Sequence, residues 1–418
     1  MSVSLNEICE LIVDCPHSTA FDEGSGYPLI RTPNIGPGYF DLEGVHRVGK
    51  AAYDKRNQRA VPRPNDLILA REAPAGNVAI IPGGAQFCLG QRTVLIRPDA
   101  SKVCPLFLNY YLNAPEQRHK LLRNANGATV SHVNMPIIRN LPVDLPPIDE
   151  QERIASILSA YDALIESNRK QIKLLEEAAQ RLYKEWFIDL RFPGHENTEI
   201  DSETGLPEDW QEVALRNALE AEIGGGWGEE MASAEYSEMA YVIRATDIID
   251  AENGNLSGIP LRFHKSSNLE SRSLRHGDLV FEVSGGSRDH GVGRNLRITD
   301  DLLGQLPHPI MCASFCKKMR PKSMPLSLII AESIRYAYLS DGLRAFEKRS
   351  AGNIINFHWN EFLDNFYLRI PPAGLLETYI NLIEQIHKAK SMKANTVRVA
   401  REARDRLLPR LISEGREA

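Results

Sequence analysis

From residue 158 to residue 186, seam-type side chains recur every three or four positions without a slip. They are Leu158, Tyr161, Ile165, Asn168, Ile172, Leu175, Ala179, Leu182 and Trp186. That spacing lays one stripe along a helix and is the seam of a coiled coil. Asn168 is its one polar member, and either fixes register at some cost in stability or is a tolerated defect. Upstream, Pro146 and Pro147 forbid an earlier start, Asp149 is a fitting N-cap and Glu152 is its capping-box partner. The pattern predicts a helix over 149–187, whose 39 residues span ~58 Å at ~1.5 Å per residue.

The same device occurs a second time. Residues 126–147, "NGATVSHVNMPIIRNLPVDLPP", align without a gap to residues 351–372, "AGNIINFHWNEFLDNFYLRIPP", at an offset of 225. That offset also carries "EEAAQRLY" (176–183) onto "REARDRLL" (401–408). Further upstream "LIRTPNI" (29–35) matches "VIRATDI" (242–248), and "NDLILAREA" (65–73) matches "GDLVFEVSG" (277–285). One unit, a globular part followed by a long helix, stands twice in the chain. Transferred by the offset, the seam of the second helix reads Ile383, Ile386, Lys390, Lys393, Val397, Ala400, Arg404, Leu407 and Leu411. Three of these nine positions are basic, so either the alkyl stems snorkel along a partner or the seam rotates locally.

Within each globular part "VAIIP", "RTVLIRP", "YVIRATDI" and "DLVFEV" are β-branched runs broken by Gly, Pro and Asn, which predicts strands. Short helices fit at 105–123 and 325–348. The fold class is therefore α+β. Two similar globular domains, 1–147 and 196–372, are joined by two long antiparallel coiled-coil helices in the segments 148–195 and 373–418, as a pseudo-twofold tandem repeat. Direction follows from connectivity, because the first helix carries the chain away from the first domain and the second returns from the second. Charge agrees: residues 148–187 hold eight acids and six bases, residues 373–415 five acids and eight bases. The expected shape is a dumb-bell with a head at each end.

A net charge of −6 argues against a uniformly basic nucleic-acid binder, but the charge is segregated. Residues 196–238 hold thirteen acids and one base, Arg216, whereas residues 262–322 hold eleven bases against six acids. Residues 92–123 hold six bases against Asp99 and Glu116. Six cysteines without regular spacing fit reduced thiols in a cytoplasm. His308, Cys312 and Cys316 lack a fourth ligand and read as a histidine beside buried thiols rather than as zinc. No apolar run is long enough for a membrane helix, and the acidic N-terminus does not suit export. The expected location is cytoplasmic, with no metal, no cofactor and no membrane partner.

Two related heads on a stiff spacer suit a bipartite target. On duplex DNA, readable positions repeat along one face every ~34–36 Å. With "LPPIDEQERI" (145–154) and its worn counterpart "IPPAGLLETY" (370–379), the chain resembles the DNA-specificity subunit of type I restriction–modification systems. The stretch "GGGWGEEMASAEYSEMAYVIRATDI" (224–248) is similar to that family's usual entry into a recognition domain. The resemblance covers essentially the whole chain, and the second copy lacks the acid–glutamine pair of the first. It implies two target-recognition domains, each followed by a spacer helix, in a subunit without catalysis of its own. Its partners would be double-stranded DNA, two methyltransferase subunits docked along the helices, and restriction–translocase subunits. The site would be asymmetric, with two defined halves around a fixed gap.

Arginine reads guanine, and asparagine or glutamine reads adenine, in a major groove. Candidates at Gly/Pro-broken strand ends are Arg31, Thr32, Asn34, Arg71, Gln91 and Arg92 in the first head. In the second they are Arg244, Thr246, Asp247, Ser284, Arg288 and Arg294. Paired positions such as Arg31 and Arg244 serve either base reading or the local fold. Glu150, Gln151, Arg153 and the outward helix faces are the candidate dock for partner subunits. No catalytic set emerges. "GGGWG" and "SGGSRDHGVG" lack the Lys-Ser/Thr ending of a phosphate loop, and no lysine has an acid two residues before it. The competing reading is a scaffold that pairs two proteins without a DNA role.

Overall fold

The computed structural model describes residues 2–16, 18–123, 132–285, 291–349 and 355–415. The chain divides into two compact units: Met1–Ile165 with Val399–Ala418, and Glu166–Arg398. Each therefore holds part of both long helices.

In the first unit the β-branched runs form an antiparallel sheet in the order Cys9–Asp14, Thr93–Pro98, Leu67–Ala70, Val78–Ile80. A second sheet has the order Arg47–Val48, Tyr27–Ile30, Cys88–Leu89, its last pair parallel. In the second unit the order is Leu219–Gly224, Cys316–Pro321, Leu279–Glu282, Asn295–Arg297. Its smaller sheet runs Leu261–His264, Glu238–Ile243, Ile310–Cys312, again with a parallel last pair. The sequence is the same down to a register slip in the first strand, between Cys9 and Leu11 in one unit and Leu219 and Ala221 in the other. A small pairing closes each unit, Val3–Ser4 with Pro142–Val143 and Gln211–Ala214 with Tyr367–Ile370.

Two aspartates explain part of this recurrence. Asp66 accepts the Arg63 amide at 2.9 Å and forks onto Arg97 at 2.8 and 2.7 Å. Asp278 accepts the Arg275 amide at 2.9 Å and forks onto Arg320 at the same two distances. The residue before each aspartate has a positive φ, 70° at Asn65 and 85° at Gly277, which only Asn, Asp or Gly adopts readily. A buried carboxylate thus ties a tight turn to the neighbouring strand in both units.

Several boundaries differ from expectation. The first long helix is Ile148–Tyr183, so Asp149 is not its cap. The Pro147 carbonyl instead accepts the Glu150 and Gln151 amides, both at 3.0 Å. Asp149 falls in the first turn, where its charge still suits the helix dipole. At the other end the α-helix gives way after Tyr183 to one π-turn, Lys184–Ile188, which buries both Trp186 and Phe187. The second long helix is Ala373–Glu414. Residues 105–123 form two helices, Pro105–Asn113 and Pro115–Arg123, because Pro115 cannot continue the first. Residues 325–348 form the helix Met324–Leu339, a 3-10 turn and the start of a strand.

The cores take in the helix ends. Ile154, Leu158, Leu411 and Ile412 join Phe107, Tyr111 and Val143 in the first unit. Ala179, Tyr183, Trp186, Tyr379 and Ile383 join Ile329 and Phe362 in the second. Fully buried apolar side chains contribute roughly 1.5–3 kcal/mol each, so the helix ends are part of each fold rather than appendages. Among the described residues no helix is long and apolar enough to cross a membrane.

Replacing Asp278 with Ala should strand Arg320, whose side chain is only 19% exposed, and cost about 3 kcal/mol in urea unfolding of the second unit. Asp54→Ala, which breaks the open Lys50 pair, should leave the unfolding midpoint unchanged.

Candidate nucleic-acid interface

The segments 29–35 and 242–248 turn out to be one local structure. Thr32–Asn34 and Ala245–Asp247 are 3-10 turns that follow a strand. Asn34 Oδ1 accepts the Arg31 amide at 3.1 Å, and Asp247 Oδ2 accepts the Arg244 amide at 2.9 Å. Asn34 Nδ2 also donates to Asp41 O, and Thr32 Oγ1 donates to Ala73 O. Thr32, Asn34 and Asp247 are buried by these contacts, while Thr246 is exposed. Arg244 forks onto Asp247 at 2.8 and 2.7 Å and reaches Gly258 O at 2.8 Å. Arg31 is half-buried. The recurrence of these four positions has a structural cause, the capping of a turn.

Arg71 is buried too. Its guanidinium bonds Val133 O at 2.8 Å and Asp14 at 2.7 Å, and lies 2.7 Å from His132 Nε2. His132 Nδ1 stands 2.6 Å from Glu72, whose other oxygen pairs with Arg92 at 2.9 Å. Arg92 itself is exposed at 61% and projects from a left-handed backbone position, φ 63°. Beside it Gln91 donates to Thr19 Oγ1 at 3.3 Å. The structure thus gathers Arg71, Gln91 and Arg92 with Glu72 and His132 at one edge of the first unit.

In the second unit Arg294 forks onto Glu282 at 2.8 and 2.7 Å, and Glu282 is 1% exposed. Ser284 donates to Asn356 Oδ1 at 3.2 Å. Arg288 lies outside the described residues.

The basic excess of 262–322 is largely spent inside the unit. Arg262, Lys265, Arg294, Lys317 and Arg320 each face a carboxylate. Arg272 and Lys318 donate to the Gly224 and Ser271 carbonyls. Arg275 and Lys322 stand exposed. Cys312 and Cys316 lie in an apolar cluster with Ile243 and Val280, and burial pushes the Cys312 thiol up to about 12. His308 sits against the Tyr241 ring.

The basic positions in the second helix's seam have a clear structural role. In the first unit Arg404 reaches Asp162 on the first helix at 2.6 Å, and Asp162 also accepts the Tyr110 hydroxyl of the globular part. In the second unit Lys390 reaches Glu176 on the first helix at 2.6 Å and Glu252 of the globular part at 2.9 Å. Glu252 is shared with Arg335. Burial first, and the neighbouring Arg335 second, pull the Lys390 ammonium below the usual lysine range. Each junction ties both helices to one globular part. In each unit the two long helices are thus held side by side by one ion pair, Asp162 with Arg404 in the first and Glu176 with Lys390 in the second. The second junction borders a cavity of about 460 Å³, where His387 Nε2 lies 3.1 Å from Glu332.

The remaining helix candidates divide by exposure. Leu158, Ile165, Asn168, Ile172 and Trp186 are buried, and Tyr161, Leu175 and Leu182 are half-buried. Arg153 is exposed and pairs with Glu150 at 2.6 Å. Gln151, offered as a dock for partners, is 1% exposed instead. Its Oε1 accepts the Cys104 amide and its Nε2 donates to Pro146 O, both at 2.9 Å, bolting the helix start to the globular part. Sequence reasoning missed this bolt, and also Asp162, Glu252 and the Asp66–Asp278 pair. Only the last carried a signal, an aspartate recurring at the aligned position.

Residues 1–177 match the model of the type I restriction modification DNA specificity domain. The chain is 23% identical over 389 residues to the type I restriction enzyme MjaIX specificity subunit of Methanocaldococcus jannaschii, covering 88% of this chain and 81% of that one. It is 25% identical over 151 residues to the EcoBI specificity subunit of Escherichia coli, 36% of this chain and 32% of that one. The fold is similar to that of the type I restriction-modification S subunit from M. genitalium, with a TM-score of 0.55 at 12% identity over 99% of this chain and 96% of the other.

Asp162→Ala should leave the Tyr110 hydroxyl and the Arg404 guanidinium without their shared acceptor and cost about 2 kcal/mol in denaturant unfolding. Arg404→Met should cost less, because Asp162 keeps Tyr110 and remains 39% exposed to water. An equal loss from both would contradict the three-way junction.

Proposed function

We propose that this chain belongs to the DNA-specificity family of type I restriction–modification systems and reads a split, asymmetric DNA site, one half with each globular unit. The observation that carries this reading is the repetition of one strand order in two units, each of which closes its core around both long helices. Two copies of one reader that differ in surface side chains suit two half-sites of different sequence. The two long helices act as an antiparallel spacer between target-recognition domains, giving the α+β tandem repeat a pseudo-twofold axis.

The chain has no catalytic role of its own. Two adenine methyltransferase subunits dock along the outer helix faces, where Leu164, Leu174 and Met392 are exposed, and restriction–translocase subunits join that complex in the cytoplasm. Arg92, Thr246, Gln91, Arg31 and Ser284 keep side-chain surface for DNA. Arg71, Thr32, Asn34, Asp247, Arg244 and Arg294 act by shaping the loops that carry such contacts. Partner subunits supply much of the phosphate contact, which suits an acidic chain. A second reading, a scaffold for two proteins, draws on the internal pairing of so many cations. A salt-dependent shift of labelled duplex by the chain with its methyltransferase separates the two.

The spacer reading has a direct test. Fourteen residues separate Asp162 from Glu176 and fourteen separate Lys390 from Arg404, so a deletion in one helix alone would break a junction. Removing one heptad from each helix between the junctions keeps both and shortens the spacer by ~10 Å. The methylated site should keep its halves and lose up to ~three base pairs of gap at ~3.4 Å each. A folded complex that keeps the original gap would contradict the spacer. Exchanging residues 1–144 for another subunit's should change one half of the site, and a change in both would count against independent readers.

A further inference from the structure

In the second unit the segment between the strands Leu219–Gly224 and Glu238–Ile243 folds back along the outer edge of Leu261–His264. Glu229 and Phe263 exchange two backbone hydrogen bonds, both 2.9 Å. At Gly228, φ 72°, a Cβ would strike Phe263 O and the His264 ring, so only glycine allows so close an approach. This strap carries Glu229, Glu230 and Glu235 and no base, and Glu238 opens the strand that follows it.

Two cations of the covered edge are each held between a ring and a carboxylate of the strap. The Arg262 guanidinium lies 4.6 Å from the Trp227 ring and 2.8 Å from Glu230. Lys265 Nζ lies 5.1 Å from the Tyr236 ring and pairs with Glu235. Arg262 Nε is buried without a hydrogen-bond partner, so the closed arrangement does not satisfy that donor. The first unit places its corresponding segment similarly, with Glu23 N on Arg47 O at 2.8 Å, but there the Arg47 guanidinium donates to the Gly26 carbonyl, and the segment's Asp22 accepts the Arg47 backbone amide instead.

We propose that Glu230 and Glu235 are specificity determinants of the second unit: they occupy Arg262 and Lys265, so that duplex lacking the recognition site draws no phosphate contact from this edge. The proposal rests on the DNA-reading function above. A phosphate approaching either cation competes with a carboxylate tethered on the same strap, at an effective concentration that free anions do not reach. Non-specific binding consists almost wholly of such phosphate contacts, so it loses most from this competition, and the ratio of specific to non-specific affinity rises.

The test uses the full chain reconstituted with its methyltransferase partner and a labelled duplex of scrambled sequence, titrated between 50 and 200 mM salt. Glu230→Gln with Glu235→Gln should tighten non-specific binding at low salt and steepen its log–log salt dependence by up to ~1.8, or ~0.9 for each phosphate gained. Duplex bearing the site should tighten less. Glu229→Gln with Glu238→Gln removes the same charge from acids that hold no cation, and should leave the slope as in wild type. An unchanged slope in the first pair, or an equal change in the second, would overturn the proposal. A wild-type complex that binds neither duplex would overturn the DNA reading itself.

Discussion

Ion pairing between the two long helices, once in each unit, is the constraint on which each unit's fold depends. An apolar seam alone specifies register weakly, since a slide by one heptad presents similar side chains. Asp162 with Arg404, and Glu176 with Lys390, reduce that freedom, because a slide would part both pairs and take the buried Lys390 ammonium away from Glu176. These pairs contribute little to net stability and much to a single alignment. Each also recruits its globular part, through Tyr110 in one unit and Glu252 in the other. The position of each reader on its stretch of helix is therefore set by the same bonds that set the register.

Much of the architecture was legible in the sequence. A three–four seam has one physical reading, and a gapless match across Gly127/Gly352 and the paired prolines is hard to produce without a shared fold. Strand runs such as 93–98 and 279–282 fell where β-branched residues between breakers place them. What could not be read was the partner of any polar residue. Lys390 and Arg404 were open to snorkelling or to a local rotation of the seam because Glu252 and Tyr110 are distant in sequence. Gln151 looked like a surface residue because nothing local reveals that the Cys104 amide needs an acceptor. The candidate base readers show the same limit: arginines and amides beside strand ends are the residues that hold loops together as well as those that reach bases, and Asn34 and Asp247 cap turns while Arg71 is bonded to Val133 O and Asp14.

Charge is organised economically in this molecule. An acidic chain proposed to bind DNA keeps many of its described cations on internal work, as turn ties, helix junctions and strap contacts. Exposed cations would raise affinity for every duplex alike, whereas specificity requires that affinity come from geometry.

The most direct measurement is a genome-wide map of modified adenines in the host, with and without this chain. The account predicts modification at sites made of two defined halves a fixed distance apart, and its loss when the chain is removed. The same adenines modified in its absence would contradict it.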